Sequence, residues 1–282
     1  MNKKMVLSVD NLHVQIRTPS QTVQAVNGVS FQMESGKVFG IIGESGCGKT
    51  LTCLSVMNLL PDGASAVQGS IYLNNKNIFQ SSVNEKRLLR GKEIALIMQN
   101  PMTAFNPVLT IESHFIETLM SHLPITRKDA RELAVKYLQE LGLTHPHKLL
   151  HQYPFQLSGG MLQRIMIALA VSLQPSLIIA DEPTTALDIK NQLRVLDQLN
   201  KLRENYGTAI LLVSHDLNVV SQLADEVAVM YKGSFVETAS VQNLFENPQH
   251  FYTNLLVESR QRLNKRRVRR SSFISYEKEG SC

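Results

Sequence analysis

Four short runs made only of apolar residues constrain the fold of this chain more than any other feature. They are Val38–Ile42, Ile94–Met98, Leu177–Ala180 and Ala209–Val213. Runs of this length are typical of strands that are buried on both faces, as in a parallel sheet covered by helices. The sequence therefore predicts an α/β core. None of the runs approaches the ~20 residues that a membrane-spanning helix needs.

Two other stretches differ from this core pattern. Val6–Ile16 and Val29–Met33 alternate between apolar and polar side chains, which is typical of strands with one exposed face. Between the second and third apolar runs, Ile111–Leu123 and Arg127–Leu141 carry apolar residues at helical spacing. We therefore expect a strand-rich N-terminal part and a helical insertion at about residues 102–172.

Composition and charge narrow the class of protein. The 282 residues are 43% hydrophobic and 19% charged, so a wholly disordered protein is excluded. Between residues 260 and 282, eight Lys and Arg side chains stand against two glutamates. We interpret this basic tail as a solvated chain end, with contact to an anionic membrane surface or to nucleic acid as alternatives. Three cysteines are too few for a disulfide framework, and no apolar segment of the kind found in a signal peptide follows the first lysines. Both observations favour a protein that stays in the cytoplasm.

The octapeptide Gly43–Thr50 fits the pattern G-x-x-x-x-G-K-[ST] and is called the P-loop below. It follows the first apolar run and precedes Leu51–Leu60, which has a helical pattern, so it has the context that this motif requires. Its glycines allow backbone N–H groups to point at a phosphate, and the helix N-terminus adds a positive end. The predicted phosphate-binding residues are Gly43, Glu44, Ser45, Gly46, Cys47, Gly48, Lys49 and Thr50.

Three P-loop side chains carry specific expectations. Lys49 is predicted to reach the β- and γ-phosphates, and the Thr50 hydroxyl to bind Mg²⁺. Cys47 lies near the helix N-terminus and Lys49, a setting that can lower the pKa of a thiol and make it reactive.

Two carboxylates, Asp181 and Glu182, follow the third apolar run directly. Mg²⁺ prefers oxygen ligands and retains several waters, so one carboxylate is enough to hold it. We assign that role to Asp181, and we expect Glu182 to project toward the γ-phosphate and polarise the attacking water. A merely solvated acidic strand end is the alternative, which a P-loop in the same chain disfavours.

Ser158–Gly160 forms a second candidate anion site, because a capping hydroxyl and small residues stand at the start of a helical pattern. Two phosphate-binding loops in one chain indicate either two nucleotides or a site shared by two subunits. The phosphate-contacting residues predicted here are Ser158, Gly159 and Gly160.

With these motifs, residues 5–257 resemble the nucleotide-binding subunit of an ATP-binding cassette (ABC) transporter. The resemblance implies an α/β fold: a P-loop NTPase (RecA-like) core with an N-terminal antiparallel β subdomain and an inserted α-helical subdomain. It implies ATP hydrolysis, with ATP and Mg²⁺ as cofactors. It also implies that Gln99 touches the metal and senses the membrane subunits, that Asp188 crosses a dimer interface, and that His215 contacts the γ-phosphate.

One position departs from the family pattern. ABC subunits usually stack adenine on an aromatic residue upstream of the P-loop, but residues 1–29 contain no Phe, Tyr or Trp. We therefore expect the base to rest on aliphatic side chains such as Ile16 or Val23.

Three segments resemble the sequences of the ATPases of peptide and nickel importers: Met98–Pro107, Asp181–Asp188 and Asn247–Thr253. Within that group, the sequence of Tyr153–Arg164 is most similar to nickel-import ATPases. This implies import of nickel or a nickel chelate. The alternatives are an oligopeptide or dipeptide importer and a soluble ABC ATPase acting on nucleic acid or ribosomes. Three histidines that could invite a metal assignment are interpreted as part of a solvated polar loop: His145, His147 and His151.

The resemblance also implies an assembly. The expected partners are a second, different ATPase subunit, two transmembrane permeases, and an extracytoplasmic solute-binding protein that acts through the permeases; nucleic acid is not expected. The chain would lie peripherally on the cytoplasmic face of the cell (inner) membrane. An ABC ATPase domain at residues 1–257 and a basic tail at 258–282 complete the expected organisation.

Overall fold

The computed structural model describes residues 4–185 and 187–259. The strands, in chain order, are β1 (Met5–Arg17), β2 (Thr22–Glu34), β3 (Val38–Ile42), β4 (Ala64–Leu73), β5 (Lys76–Asn77), β6 (Ile94–Ile97), β7 (Leu177–Asp181), β8 (Ala209–Ser214), β9 (Glu226–Tyr231) and β10 (Ser234–Ser240).

The helices surround these strands, and residues 251–259 form a further helix, here called the terminal helix. The other helices are α1 (Lys49–Met57), α2 (Val83–Lys92), α3 (Ile111–His122), α4 (Arg127–Glu140), α5 (Pro146–Leu150), α6 (Gly159–Val171), α7 (Ile189–Tyr206), α8 (Leu217–Leu223) and α9 (Val241–Glu246).

The strands form two sheets. The smaller is antiparallel, in the order β2-β1-β4-β5. The larger has the order β10-β9-β3-β8-β7-β6, in which only the pairing of β10 with β9 is antiparallel. The four apolar runs of the sequence become β3, β6, β7 and β8 of the parallel part. The predicted α/β fold with an antiparallel β subdomain and a helical insertion is confirmed.

The larger sheet lies between two apolar layers. Along β7, Ile178 and Ala180 pack in one core cluster with α3, α4, α6, α7 and α8. The intervening Leu177 and Ile179 pack in the other cluster, with α1 and the smaller sheet. This division follows from the two-residue period of a strand. Both faces are covered, which explains why the sequence shows continuous apolar runs here.

Helices α3 to α6 occupy the stretch where the insertion was expected. Thr110 and Thr126 accept hydrogen bonds from backbone N–H groups at the starts of α3 and α4, which satisfies donors that lack partners in the first turn. Phe115 and Tyr137 are buried between the helices. The inserted segment therefore has a core continuous with that of the larger sheet.

Some local expectations were wrong. β2 starts at Thr22 rather than Val29, and its first half, which was not predicted from the sequence, is mostly exposed. Helix α2 has no buried residue, so no apolar stripe marks it in the sequence. The stretch around His145–His151 is not a simple polar loop, since α5 places Leu149 and Leu150 in the core.

The C-terminal part is described up to residue 259. The expected boundary between residues 257 and 258 falls inside the terminal helix. The rest of the basic tail, residues 260–282, lies outside the described residues. Among the helices of the described part, none is both long enough and apolar enough to cross a bilayer.

Candidate active site

A cleft of about 900 Å³ opens where the carboxyl ends of β3, β6, β7 and β8 meet. Its walls bring together most of the residues predicted from the P-loop and from the strand ends. The predicted residues that line it are Glu44, Ser45, Gly46, Gly48, Lys49, Thr50, Gln99, Asp181, Glu182 and His215, with Ile16 and Val23.

The shape of the P-loop depends on glycine at Gly48. Its φ is +111°, and a Cβ atom there would lie 2.5 Å from the carbonyl oxygen of Ala25 and 2.7 Å from the Met230 side chain. Only glycine therefore allows β2 and β9 to approach the loop this closely. Just after β9, the Gly233 N–H donates to the carbonyl oxygen of Cys47 at 3.0 Å.

The Lys49 side chain is held within the P-loop. Its Nζ atom donates to the carbonyl oxygens of Gly43 and Glu44, both at 2.8 Å, and the residue is 6% exposed. These two hydrogen-bond partners are neutral carbonyl groups, and the nearby Asp181 carboxylate offsets part of the ammonium charge. The charge is positioned to attract an anion at the N-terminus of α1.

The two side chains predicted to hold Mg²⁺ from the P-loop and from β7, Thr50 and Asp181, are in contact. The Thr50 hydroxyl donates to Asp181 Oδ2 at 3.0 Å. Burial raises the pKa of Asp181 and the nearby Glu182 charge adds to this, while the Thr50 hydrogen bond and Lys49 oppose it. A part-buried carboxylate beside a hydroxyl is an oxygen-donor pair that suits Mg²⁺.

Glu182 is the centre of a polar network at the ends of three strands. Its Oε2 atom accepts hydrogen bonds from Gln99 Nε2 at 3.2 Å and from the Thr185 hydroxyl at 2.7 Å, and it pairs with His215 Nδ1 at 2.8 Å. The Glu182 φ of +49° is rare for a residue with a side chain, and its N–H bonds the carbonyl oxygen of Val213. This turn aims the carboxylate into the cleft.

Ser158, Gly160 and Asp188 do not line this cleft. Ser158 caps α6 by accepting from the Met161 N–H at 3.4 Å, and Asp188 caps α7 by accepting from the Asn191 N–H at 2.9 Å. A Cβ atom on Gly160 would lie 3.5 Å from Leu187 and 3.7 Å from Asn191. The two caps therefore belong to one surface, separate from the P-loop of the same chain.

The expectation for Cys47 was wrong in direction. The residue is buried, and burial raises the pKa of its thiol above the usual value. The Lys49 ammonium, 3.8 Å away, opposes this effect but does not reverse it. Sequence proximity to a lysine predicted a lowered pKa because it carried no information about burial.

The wall of the cleft near β1 and β2 is aliphatic. Ile16 and Val23 lie there together with Gln24 and Ala25. The described residues that line the cleft include no aromatic side chain.

Two contributors to the site were not expected from the sequence. Thr185 bonds Glu182, and the Tyr252 hydroxyl accepts a hydrogen bond from the Glu44 N–H at 3.2 Å. Thr185 stands in a segment that the sequence singled out, whereas no local pattern connects Tyr252 with the P-loop. Among the described residues, no group of three or more His, Cys, Asp or Glu side chains is arranged to hold a metal ion.

Comparison with known proteins identifies the family. The ABC transporter family model matches residues 26–185. The chain is 45% identical to the dipeptide transport ATP-binding protein DppD of Bacillus subtilis over 92% of this chain and 78% of that protein. It is 44% identical to the oligopeptide transport ATP-binding protein AppD of the same organism over 90% and 78%. A third relative, the probable D,D-dipeptide transport ATP-binding protein DdpD of Escherichia coli, is 43% identical over 90% and 77%.

The fold matches a solved cassette. The dimeric post-hydrolysis structure of the ATP-binding cassette MJ0796, bound to ADP and Pi, superimposes with a TM-score of 0.76 at 24% identity. The match covers 83% of this chain and 98% of that one. Family model, relatives and fold agree: this chain belongs to the ABC transporter family, as an ATP-binding subunit whose ATP hydrolysis is coupled to transport.

Proposed function

We propose that the chain is the ATPase subunit of an ABC importer of dipeptides or oligopeptides. The observation that carries this proposal is the sequence identity of 43% to 45%, over at least 90% of the chain, with three proteins named for peptide transport. Nickel import was expected from the resemblance of short segments to nickel-import ATPases, but none of these three relatives is named for nickel transport. The peptide alternative therefore replaces nickel as the leading assignment.

The P-loop is proposed to bind the ATP phosphates. Lys49 would exchange the carbonyl oxygens of Gly43 and Glu44 for phosphate oxygens, since an ammonium prefers an anion to neutral acceptors. Thr50 and Asp181 would hold Mg²⁺, with Gln99 nearby, and the bound ion would neutralise phosphate charge. The aliphatic wall at Ile16 and Val23 would carry the base.

Glu182 is proposed as the general base for the attacking water. Its carboxylate is positioned by Gln99, Thr185 and His215, all of which bond Oε2. As general base, the Glu182 carboxylate would accept a proton from the attacking water. Movement of His215 toward the γ-phosphate would release one of the Oε2 contacts and make room for that proton.

The second candidate anion site is proposed to serve a partner subunit. Ser158–Gly160 and Asp188 lie outside the cleft of their own chain, and a Cβ atom on Gly159 would meet nothing within 4 Å. An open loop at a helix start is suited to contact a phosphate on another subunit. We therefore propose a head-to-tail dimer, with a second and different ATPase, that closes on two ATP molecules.

The remaining assembly is proposed on the same basis. Two permeases would bind this ATPase pair, and an extracytoplasmic solute-binding protein would deliver the peptide to them. The chain would lie on the cytoplasmic face of the membrane as a peripheral subunit. Residues 1–257 would form the ATPase domain, and the basic tail at 258–282 is proposed as a solvated end.

Uptake measurements test the proposed solute. Deletion of the gene is expected to abolish uptake of a radiolabelled dipeptide and to leave uptake of radioactive nickel unchanged. Complementation with the wild-type chain should restore peptide uptake, whereas the Glu182→Gln variant should not. Loss of nickel uptake with normal peptide uptake would reverse the assignment.

A further inference from the structure

The first turn of the terminal helix touches the P-loop. The Glu44 N–H donates to the Tyr252 hydroxyl oxygen at 3.2 Å, although the two residues are 208 positions apart. Tyr252 is 7% exposed, and its ring centroid lies 4.4 Å from that of Tyr231 on β9. A buried tyrosine that presents its hydroxyl to the phosphate loop is not explained by packing alone.

Glu237 of β10 fixes the approach to this helix. Its two carboxylate oxygens accept hydrogen bonds from the N–H groups of Gln249 and His250, each at 2.9 Å. Charge-assisted bonds of this kind are stronger than those between neutral groups. Thr253 and Val257 of the same helix are also buried. The Tyr252 hydroxyl is therefore held in place from the core of the protein.

The peptide group that joins Gly43 to Glu44 is held by two side chains. Tyr252 accepts from its N–H at 3.2 Å, while Lys49 donates to its carbonyl oxygen and to that of the next peptide group, both at 2.8 Å. Under the proposed function, Lys49 leaves both carbonyl oxygens when it turns to a phosphate. The Tyr252 contact then remains to hold the start of the loop.

We propose that Tyr252 is a positioning residue for nucleotide binding: its hydroxyl holds the entry of the P-loop in the shape that receives phosphate. The inference rests on the proposed phosphate-binding role of the P-loop. It assigns to the terminal helix a direct effect on ATP affinity. Because Tyr252 touches the loop and not the reacting atoms, it is not a catalytic residue.

Removal of one hydroxyl tests the inference. In the full chain, Tyr252→Phe is expected to weaken Mg-ATP binding about three- to tenfold, the effect of one lost net hydrogen bond. The assembled transporter should show the same rise in KM, with kcat changed less than about twofold. The melting temperature without nucleotide should stay near that of the wild type, which separates positioning from a general loss of stability.

Tyr137→Phe is the matched control. Tyr137 lies on α4 of the helical insertion, outside the cleft, and is also buried. Its hydroxyl accepts a hydrogen bond from Gln174 Nε2 at 3.2 Å. This variant should bind Mg-ATP as the wild type does. Equal weakening by both variants, or wild-type affinity in Tyr252→Phe, would overturn the role of Tyr252.

Glu237→Gln provides a second test if Tyr252→Phe folds poorly. The neutral amide keeps only one acceptor for the Gln249 and His250 N–H groups, so Mg-ATP affinity should fall in the same direction but less. Unchanged affinity in a folded Glu237→Gln variant would overturn the link between the helix and the loop. Failure of the wild-type chain itself to bind Mg-ATP would overturn the proposed phosphate site as well.

Discussion

The orientation of the Glu182 carboxylate is fixed by side chains at the ends of three strands. One oxygen, Oε2, is contacted by side chains that follow β6, β7 and β8. The side chain is 15% exposed, so these contacts are only partly screened by water. At the scale of the residue, the site therefore consists of a carboxylate with a fixed orientation.

Glu182→Gln is expected to retain Mg-ATP affinity and to lower turnover of the assembled ATPase by ~10²–10⁴-fold, the usual contribution of a general base. The amide preserves the shape of the side chain but cannot take a proton from water. The measurement is phosphate release at saturating Mg-ATP. Glu132→Gln, an exposed carboxylate on α4, is the control and should hydrolyse ATP normally. Normal turnover in Glu182→Gln would remove Glu182 from the base role.

Cys47 is expected to react slowly with N-ethylmaleimide at neutral pH. Burial raises its pKa, so less thiolate is present than in a free cysteine, and the thiolate is the reactive form. The rate should rise steadily as the pH is raised above neutrality, and Mg-ATP should protect. Inactivation is measured in the wild type and in Cys47→Ser, which should resist. A fast, pH-independent reaction would contradict the raised pKa, and an equally sensitive Cys47→Ser would exclude this thiol.

At the scale of the element, helix starts supply much of the polar chemistry. The P-loop leads into α1, Ser158 caps α6 and Asp188 caps α7. Each start leaves backbone N–H groups without partners inside the helix. Such groups can be capped by a side chain or satisfied by an anion, so the same kind of element can serve stability or binding.

Ser158→Arg is expected to leave Mg-ATP binding by the isolated chain unchanged and to block hydrolysis in the assembled pair. The reason is that Ser158 lies outside its own cleft, and a large cation would obstruct a partner's phosphate site. Binding to the single chain and turnover of the complex are measured separately.

Ser240→Arg is the control for the lost helix cap. Ser240 caps α9 in the same way, by accepting from the Asn243 N–H at 3.3 Å, and a lost cap costs about 1 kcal/mol. This variant should keep its turnover. Weakened Mg-ATP binding by the isolated Ser158→Arg chain would show that Ser158 acts within its own site.

At the scale of the whole molecule, an aromatic cluster joins the two sheets. Phe31 on β2 stacks on Phe39 of β3 with ring centroids 4.8 Å apart, and Phe235 of β10 lies 5.9 Å from Phe31. Both Phe31 and Phe39 are buried. The cluster thus connects the antiparallel sheet to the strand that leads into the P-loop.

Phe39→Ala is expected to lower the free energy of unfolding by about 3–5 kcal/mol, because it leaves a cavity between the sheets. Phe155→Ala, at a side chain that is 64% exposed, should change it by less than about 1 kcal/mol. Urea denaturation of both variants provides the comparison. If both variants lose the same free energy of unfolding, the aromatic cluster does not stabilise the packing of the two sheets.

The sequence by itself determined the parts of this protein that depend on neighbouring residues. The apolar runs predicted β3, β6, β7 and β8, since a strand covered on both faces requires apolar side chains throughout. The P-loop and the pair Asp181 and Glu182 were recognisable for the same reason, because their chemistry depends on spacing within a few residues.

Only the tertiary structure decided which distant residues meet. Gln99, Glu182 and His215 converge because parallel strands present their carboxyl ends at one edge. Tyr252 reaches Glu44 across 208 residues, and Cys47 becomes buried with a raised pKa. Helix α2 was missed because its side chains are not buried. Such contacts and burials follow from how the layers pack, and packing is a property of the whole chain that no local pattern contains.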